Sequence, residues 1–334
     1  MVVRRLQRVG ASTFTVALPK EWVKARGLGA KSEVDVQVLD DGNIRISTIN
    51  SEKRKEREIL IKEKETDAGF LIRKIMAAYI AGYDVIKLDL SEVGPEFEVR
   101  DKLRKIIKNK MAGGEIVDES INSMTIQVIL RPYEYPINKI LMRMTSMVHN
   151  MILDVCKALA SKNKNILLDV VERDDDIDKL YFMGSRWLSS IIEDKLSALD
   201  YDIKTGREVL EYRIIFRHVE RVADHVCKIS TILLDLIDKI DNNSTLVIKE
   251  LLEKTGTIFV KSLNCLKSNN LLDANRVIHD ARSTVKSIEE VLEKFGHSSS
   301  KEVLGTLAVI FDSTKRIAEY GIGISEIVFN ISIN

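Results

Sequence analysis

Two pairs of acidic residues occur at the spacing of one helical turn: Asp174 with Asp178, and Glu220 with Asp224. Residues four apart in a helix lie one above the other on the same face, so like charges at this spacing repel unless a positive charge lies between them. Two helices that each carry such a pair offer four carboxylates, and oxygen ligands suit Fe³⁺, Mg²⁺, Mn²⁺ or Ca²⁺. A metal ion bound in this way keeps open positions that a phosphate oxygen could fill.

The same pairs have a simpler interpretation, a solvated acidic helix face that arginines partly neutralise. Val219 and Val222 belong to an apolar stripe, which predicts that Glu220 and Asp224 lie on the outward face of their helix. The neighbouring arginines are Arg173, Arg217 and Arg221. Spacing alone leaves both interpretations open.

The helices that would carry these pairs lie in a long proline-free part of the chain. All four prolines occur in the first 136 residues, and the following 198 residues contain none. Because proline costs about 3 kcal/mol in a helix interior, this part is predicted to be all helical. Two sustained heptad stripes, 212–240 and 303–331, predict the core seams of helix bundles. The predicted helices are 137–161, 166–199, 206–240, 244–268, 270–295 and 300–332.

The two stripes also reveal an internal repeat. Residues 220–224 (Glu-Arg-Val-Ala-Asp) align with residues 315–319 (Lys-Arg-Ile-Ala-Glu), 95 residues later, and the apolar positions around them coincide. Six helices over this span therefore predict two similar three-helix bundles, about 133–240 and 241–334.

The beginning of the chain has a different character. Residues 1–31 carry seven basic residues and one acidic residue, a net charge of +6, whereas the whole chain carries +1. Such asymmetry indicates an anion-binding arm on an acidic body. Residues 13–18 and 34–38 alternate like strands, Pro19 is suited to open a short helix between them, and residues 40–43 are typical of a hairpin turn.

Residues 49–132 are predicted to form a small α/β domain with the order β-α-β-α-β-β. They contain no glycine-rich phosphate-binding loop and no cluster of residues typical of a catalytic site. We therefore interpret this part as a spacer or interaction domain.

The N-terminal part resembles a known family. The run from Gly10 to Trp22, then Gly27-Leu28-Gly29 and Glu33 to Val36, is similar to the AbrB/SpoVT/MazE-type swapped-hairpin domain over about residues 1–48. The resemblance implies that two chains interleave their hairpins into one DNA-binding barrel, and so form a homodimer. Its implied phosphate contacts are Arg4, Arg5, Arg8, Lys20 and Lys24. The alternative is a solvated basic face on a module that only dimerises.

The helical part, roughly residues 133–334, resembles PhoU, the phosphate-uptake regulator. The resemblance lies in the spacing of Asp174 and Asp178, in residues 220–225 and in residues 312–321. It implies a multinuclear iron or zinc cluster on acid pairs at the bundle surface, with Mg²⁺, Mn²⁺ or Ca²⁺ as alternatives. The second repeat departs from the family pattern, because Lys315 replaces an acid and Glu319 replaces an aspartate. We therefore expect one competent metal site and a degenerate second face.

Together these patterns predict a multidomain α+β protein: a swapped-hairpin β barrel, a small α/β domain and a pair of three-helix bundles. The order of the domains is similar to that of archaeal-type phosphate regulators, which implies a non-enzymatic, phosphate-responsive transcriptional regulator that binds DNA. The alternative is an interaction protein that acts on a phosphate ABC transporter or signalling protein and uses the β module only to dimerise. Three scattered cysteines and no apolar run of about 18 residues predict a cytoplasmic protein, peripheral to the membrane at most.

Overall fold

The computed structural model describes most of the chain as eight strands and ten helices. They divide into two units, residues 1–56 and 57–334. No described helix is long and apolar enough to cross a membrane. The described residues are 3–10, 12–38, 42–48, 56–62, 67–92, 97–130, 135–192, 203, 205–295 and 301–333.

The 1–56 unit contains two short antiparallel hairpins. In the first, Arg8 of strand β1 pairs with Phe14 of strand β2. In the second, Val36 of β3 pairs with Ile46 of β4. The described residues of this unit form two separate two-stranded sheets and no closed barrel, so the barrel stays a prediction. The predicted turn at 40–43 lies partly outside the described residues. The elements are β1 (Gln7–Val9), β2 (Thr13–Thr15), α1 (Lys20–Ala25), β3 (Val34–Val38) and β4 (Ile44–Thr48).

An α/β layer opens the 57–334 unit, and its element order is the predicted β-α-β-α-β-β. Its sheet has the strand order β5-β6-β8-β7, with a parallel β5–β6 pair and two antiparallel pairs. Apolar residues of α2 and α3, including Ile75 and Leu103, are buried against Ile86 and Ile126 of the sheet. The elements are β5 (Glu58–Lys62), α2 (Ala68–Ile80), β6 (Val85–Asp89), α3 (Phe97–Lys110), β7 (Gly114–Glu119) and β8 (Ser123–Val128).

Seven helices follow in the described residues, where the sequence predicts six. The helix predicted over 166–199 is wrong as a single element, because the described chain breaks at Arg173 between α5 and α6. Asp174 therefore begins a helix, where a carboxylate interacts favourably with the helix dipole. Residues 193–200 lie outside the described part. The helices are α4 (Ile137–Ser161), α5 (Lys164–Glu172), α6 (Asp174–Ile192), α7 (Gly206–Leu236), α8 (Asn242–Ser268), α9 (Leu271–Phe295) and α10 (Lys301–Ser332).

The predicted heptad stripes form the core of this helical region. Val219 and Val222 of α7 and Ile317 and Ile324 of α10 are all fully buried. The main hydrophobic core contains residues of every helix from α4 to α10, and α7 contacts α10 directly. Helices of both predicted repeats, α4–α7 and α8–α10, therefore contribute to this core, and the first repeat contains four described helices where three are predicted.

A buried arginine joins the α/β layer to the helical region. Arg186 of α6 is only 2% exposed. Its Nη1 donates to the carbonyl oxygens of Tyr79 and Tyr83, both at 2.7 Å, and its Nη2 lies 3.0 Å from Oδ1 of Asp84. The layer is thus held against α6 by hydrogen bonds and by an ion pair in a buried position.

Candidate functional site

The structure brings the two predicted acid pairs together where α6 packs against α7. Asp174 lies in the first turn of α6, and its Oδ1 is 3.4 Å from the Sγ of Cys227 on α7. Burial, followed by the charges of Asp178 and Asp224, raises the pKa of the Asp174 carboxyl. Side chains from both pairs therefore act on one another electrostatically.

Glu220 departs from its predicted position on the outward face. It is 8% exposed, because the side of α7 next to the core seam is covered by neighbouring helices rather than by solvent. Its Oε1 accepts a hydrogen bond of 2.8 Å from Arg217. Its Oε2 is buried, has no hydrogen-bond partner among the described residues, and lies 3.8 Å from Nε of Arg221. Burial, then repulsion from Asp224, raises the pKa of Glu220 to about 7.

Two cations pair with Asp224 and Asp178. Arg221 donates to Oδ2 of Asp224 at 2.9 Å. Lys110, the last residue of α3, places its Nζ 2.6 Å from Oδ2 of Asp178 and 3.5 Å from Oδ1 of Asp175. The α/β layer therefore contributes a residue to the acidic site, although the sequence indicates only a spacer or interaction domain there.

Two residues of the site are not predicted from the sequence: Cys227 and Lys110. Cys227 lies three residues after Asp224, so its helical spacing could have placed it beside the acid pair. Burial raises the pKa of its thiol, and the Asp174 carboxylate adds to the effect. Lys110 has no comparable signal, because it lies in another element 68 residues before Asp178.

The donor set suits a hard cation, but its present partners are protein cations. Four carboxylates are available, and the buried, unpartnered Oε2 of Glu220 lacks a positive neighbour at hydrogen-bond distance. Within the described ranges, no three His, Cys, Asp or Glu side chains converge closely enough to hold one ion. In the described residues these carboxylates are therefore not arranged around one ion, and the metal site stays a prediction.

At the aligned positions of the second repeat, Lys315 and Glu319 both pair with neighbouring charged residues. Lys315 lies 3.3 Å from Oε1 of Glu289 on α9, and Glu319 accepts a hydrogen bond of 2.8 Å from Arg316. Thr284 donates to the carbonyl oxygen of Asp280 within α9. Arg316 therefore neutralises Glu319 within α10, and the expectation of a degenerate second face stays a prediction.

The predicted DNA-contacting residues are all exposed: Arg4, Arg5, Arg8, Lys20 and Lys24. Apolar residues of the same unit are exposed as well, including Phe14 at 63% and Val38 at 76%. No described side chain of the 1–56 unit is buried. This unit therefore presents basic residues and unburied apolar residues on two short hairpins.

Glu220 is expected to make the stability of the metal-free protein depend on pH. Its pKa rises to about 7 from an ordinary value of 4.5, so its contribution is fully present below pH 4.5 and is lost as the pH rises through about 7. We expect Glu220→Gln to stabilise the chelator-treated protein by about 1–3 kcal/mol at about pH 8, and to have no effect near pH 4.5. Urea unfolding at the two pH values measures this difference.

The matched control is Glu253→Gln on α8, whose side chain is 48% exposed. It should change the unfolding free energy by less than about 0.5 kcal/mol at both pH values. A Glu220→Gln protein that is less stable than wild type at the higher pH would contradict the prediction.

These features define a helical-bundle protein with a partly buried cluster of carboxylates, joined to a basic β module. Comparison with known proteins agrees with both parts. The PhoU domain family matches residues 141–233. The family described as antidote-toxin recognition MazE, bacterial antitoxin, matches residues 7–54. Both resemblances predicted from the sequence are therefore confirmed.

Solved structures similar to this chain include two PhoU proteins. The crystal structure of PhoU from Pseudomonas aeruginosa is 15% identical and covers 59% of this chain and 95% of its own, with a TM-score of 0.52. The phosphate transport system regulatory protein PhoU from Streptococcus pneumoniae is 15% identical and covers 59% and 93%, with a TM-score of 0.47. No curated protein gives a significant match. The first of these structures shows that the helical part has a PhoU-like fold.

Proposed function

We propose that this protein is a phosphate-responsive transcriptional regulator, and not an enzyme. The basic N-terminal unit would bind DNA as a dimer, and the helical region would sense phosphate status through a metal ion or a partner protein. The observation that carries this proposal is the combination, in one chain, of a MazE-type segment with exposed basic residues and a PhoU-type segment with clustered carboxylates.

The exposed apolar residues of the 1–56 unit support the dimer. A domain of about this size buries too little apolar surface to be stable alone, and here no described side chain is buried. Val36 and Ile44 are 56% and 63% exposed on the second hairpin. A second copy of the same hairpins would remove these surfaces from water, as in a swapped-hairpin barrel.

We therefore expect the intact chain to be a dimer in light scattering, and Val36→Asp with Ile44→Asp to convert it to a monomer. A buried carboxylate without a partner opposes association. Leu272→Asp is the control, because Leu272 is 73% exposed on α9, outside this unit. A doubly substituted chain that remains dimeric would place the dimer interface elsewhere.

The proposed DNA contact is electrostatic. Lysine and arginine side chains that neutralise phosphates release counterions from DNA, so the affinity falls steeply as salt rises. Such contacts set the position of the protein on the duplex, whereas specificity depends on base edges and DNA shape. The residues proposed for this role are Arg4, Arg5, Arg8, Lys20 and Lys24.

The proposed metal ligands are Asp174, Asp178, Glu220 and Asp224. A bound metal ion would neutralise their mutual repulsion and would offer open coordination positions to a phosphate oxygen. The iron or zinc cluster that the resemblance implies is one candidate, and Mg²⁺, Mn²⁺ or Ca²⁺ are others. Arg217 and Arg221 already hold Glu220 and Asp224 by short hydrogen bonds. These arginines would orient the two carboxylates, and their charge would favour a nearby anion.

The test uses the intact, purified chain. Its metal content is measured directly, and its affinity for a mixed-sequence DNA duplex is measured at about 50 mM and about 200 mM salt. We expect bound metal that a chelator removes, and DNA binding that weakens by at least about 10³-fold between the two salt concentrations. No DNA binding even at the lower salt would leave only the alternative, an interaction protein that uses the β module to dimerise.

A further inference from the structure

A cleft of about 460 Å³ lies where α4, α7 and α8 meet in the helical region. Its volume is in the range of pockets that hold small organic ligands. The described residues of its lining include none of the carboxylates of the acid pairs on α6 and α7. The cleft is therefore a separate candidate for ligand binding. Its lining comes from α4 (including Asn138 and Met142), α7 (Tyr212) and α8 (including Val260 and Lys267).

The walls of the cleft are largely apolar. Leu141 of α4 and Leu263 of α8 line it, and they are only 5% and 8% exposed because they also belong to the main hydrophobic core. Met142 lines the same cleft and is 55% exposed. A ligand with an apolar chain would cover this side chain and remove apolar surface from water. The walls thus favour a ligand with an apolar part.

One end of the cleft carries its charge. Among the described residues of the lining, Lys267 is the only charged one, and no acidic side chain is present to neutralise it. An ammonium group beside apolar walls attracts a ligand anion. A single positive charge matches a monoanion, whereas a dianion would bring an uncompensated charge into partly apolar surroundings.

The direction of the helices places Lys267 near an amide group. Cys156 of α4 contacts the carbonyl oxygen of Lys249 on α8, and Ile152 lies against Gly256. The two helices are therefore antiparallel, so the end of α8 lies beside the beginning of α4, where Asn138 is located. Oδ1 of Asn138 accepts a hydrogen bond of 2.8 Å from the Tyr212 hydroxyl, and its Nδ2 group is a donor for a second partner.

We propose that this cleft binds a small organic anion, a monocarboxylate with an apolar chain. The carboxylate would pair with Lys267 and accept a hydrogen bond from Asn138, and the chain would lie against Leu141, Met142 and Leu263. The proposal does not depend on metal or DNA binding. Because α4 and α8 belong to different predicted repeats, a ligand in the cleft contacts both of them and stabilises the arrangement that binds it.

The test titrates octanoate into the intact chain in a calorimeter. Acetate has the same charge without the chain, and octylamine has the same chain with the opposite charge. We expect one octanoate to bind for each chain, and acetate and octylamine to bind at least about tenfold more weakly. Equal binding of octylamine would overturn the role of the positive charge, and undetectable octanoate binding would overturn the proposal.

Two substitutions locate the site. Lys267→Met removes the cation, and Ser146→Trp places a large side chain on the lining at a position that is exposed in the structure. We expect each to weaken octanoate binding by at least about tenfold. The matched control is Lys261→Met, because Lys261 is exposed on the same helix and lies outside the cleft. Affinities of both variants equal to that of wild type would show that octanoate binds elsewhere, such as on the exposed apolar residues of the 1–56 unit.

Histidine signals in nuclear magnetic resonance provide a second measurement. His149 lines the cleft, and its Nδ1 is buried without a hydrogen-bond partner among the described residues. Octanoate should shift the imidazole resonances of His149, assigned by their loss in His149→Gln, and should leave those of the exposed His279 on α9 unchanged. Calorimetric binding without a shift of His149 would place the ligand outside this cleft and contradict the proposal.

Discussion

Replacing Arg186 with methionine is expected to destabilise the 57–334 unit by about 3–5 kcal/mol. The substitution removes the donors to the carbonyl oxygens of Tyr79 and Tyr83. It also leaves Asp84, whose side chain is 15% exposed, without this partner. Removing one partner of a buried ion pair destabilises the folded protein, because the remaining charge stays buried without a counter-charge. Methionine retains much of the volume, so a cavity contributes little.

Urea unfolding of the intact chain, followed by far-ultraviolet circular dichroism, measures the change. The control is Arg143→Met, because Arg143 is exposed on α4. Adding Asp84→Asn to Arg186→Met should recover part of the loss, since it removes the stranded charge. A loss below about 1 kcal/mol for Arg186→Met would show that the buried contacts do not anchor the layer.

Neutralising Arg4, Arg5 and Arg8 together is expected to weaken DNA binding by about 10³-fold at about 0.1 M salt for each chain that engages the DNA. Each phosphate contact contributes a slope of about 0.9 to the dependence of log affinity on log salt, which near 0.1 M corresponds to roughly tenfold per contact. The triple glutamine variant should therefore also reduce the salt slope by about 2.7 for each chain that engages the DNA. Its oligomeric state should be unchanged, because the substitutions remove charge and not the apolar surfaces.

The matched control neutralises three exposed cations of α9: Arg276, Arg282 and Lys286. Their side chains are 75%, 65% and 79% exposed. This variant has the same change in net charge, so it separates local contacts from the overall field of the protein. Equal loss of DNA affinity in the two triple variants would contradict a binding surface on the N-terminal unit. Undiminished affinity in both would assign DNA binding to other residues.

Much of the local structure is predictable from the sequence. Alternation and the glycine and proline positions place the strands of both β regions, and the heptad stripe at 212–240 marks residues of α7 that are buried. The break at Arg173 is less predictable, because apolar residues continue on both sides of it. Arg173 ends α5 and its guanidinium pairs with Asp154 on α4 at 2.8 Å. That contact depends on how α4 packs beside α5, and the hydrophobic periodicity of the sequence does not specify this packing.

Acidic residues four apart share one side of a helix, so the amino-acid order identifies the four candidate carboxylates. The direction in which that side faces and the groups that neutralise it depend on how the helices pack. Glu220 is buried because α6 packs against α7, and Lys110 reaches Asp178 because the α/β layer docks on α6. Charges that are far apart in the chain interact only after packing has placed them together. The amino-acid order therefore identifies the acidic groups, whereas their burial and their partner cations depend on the folded arrangement.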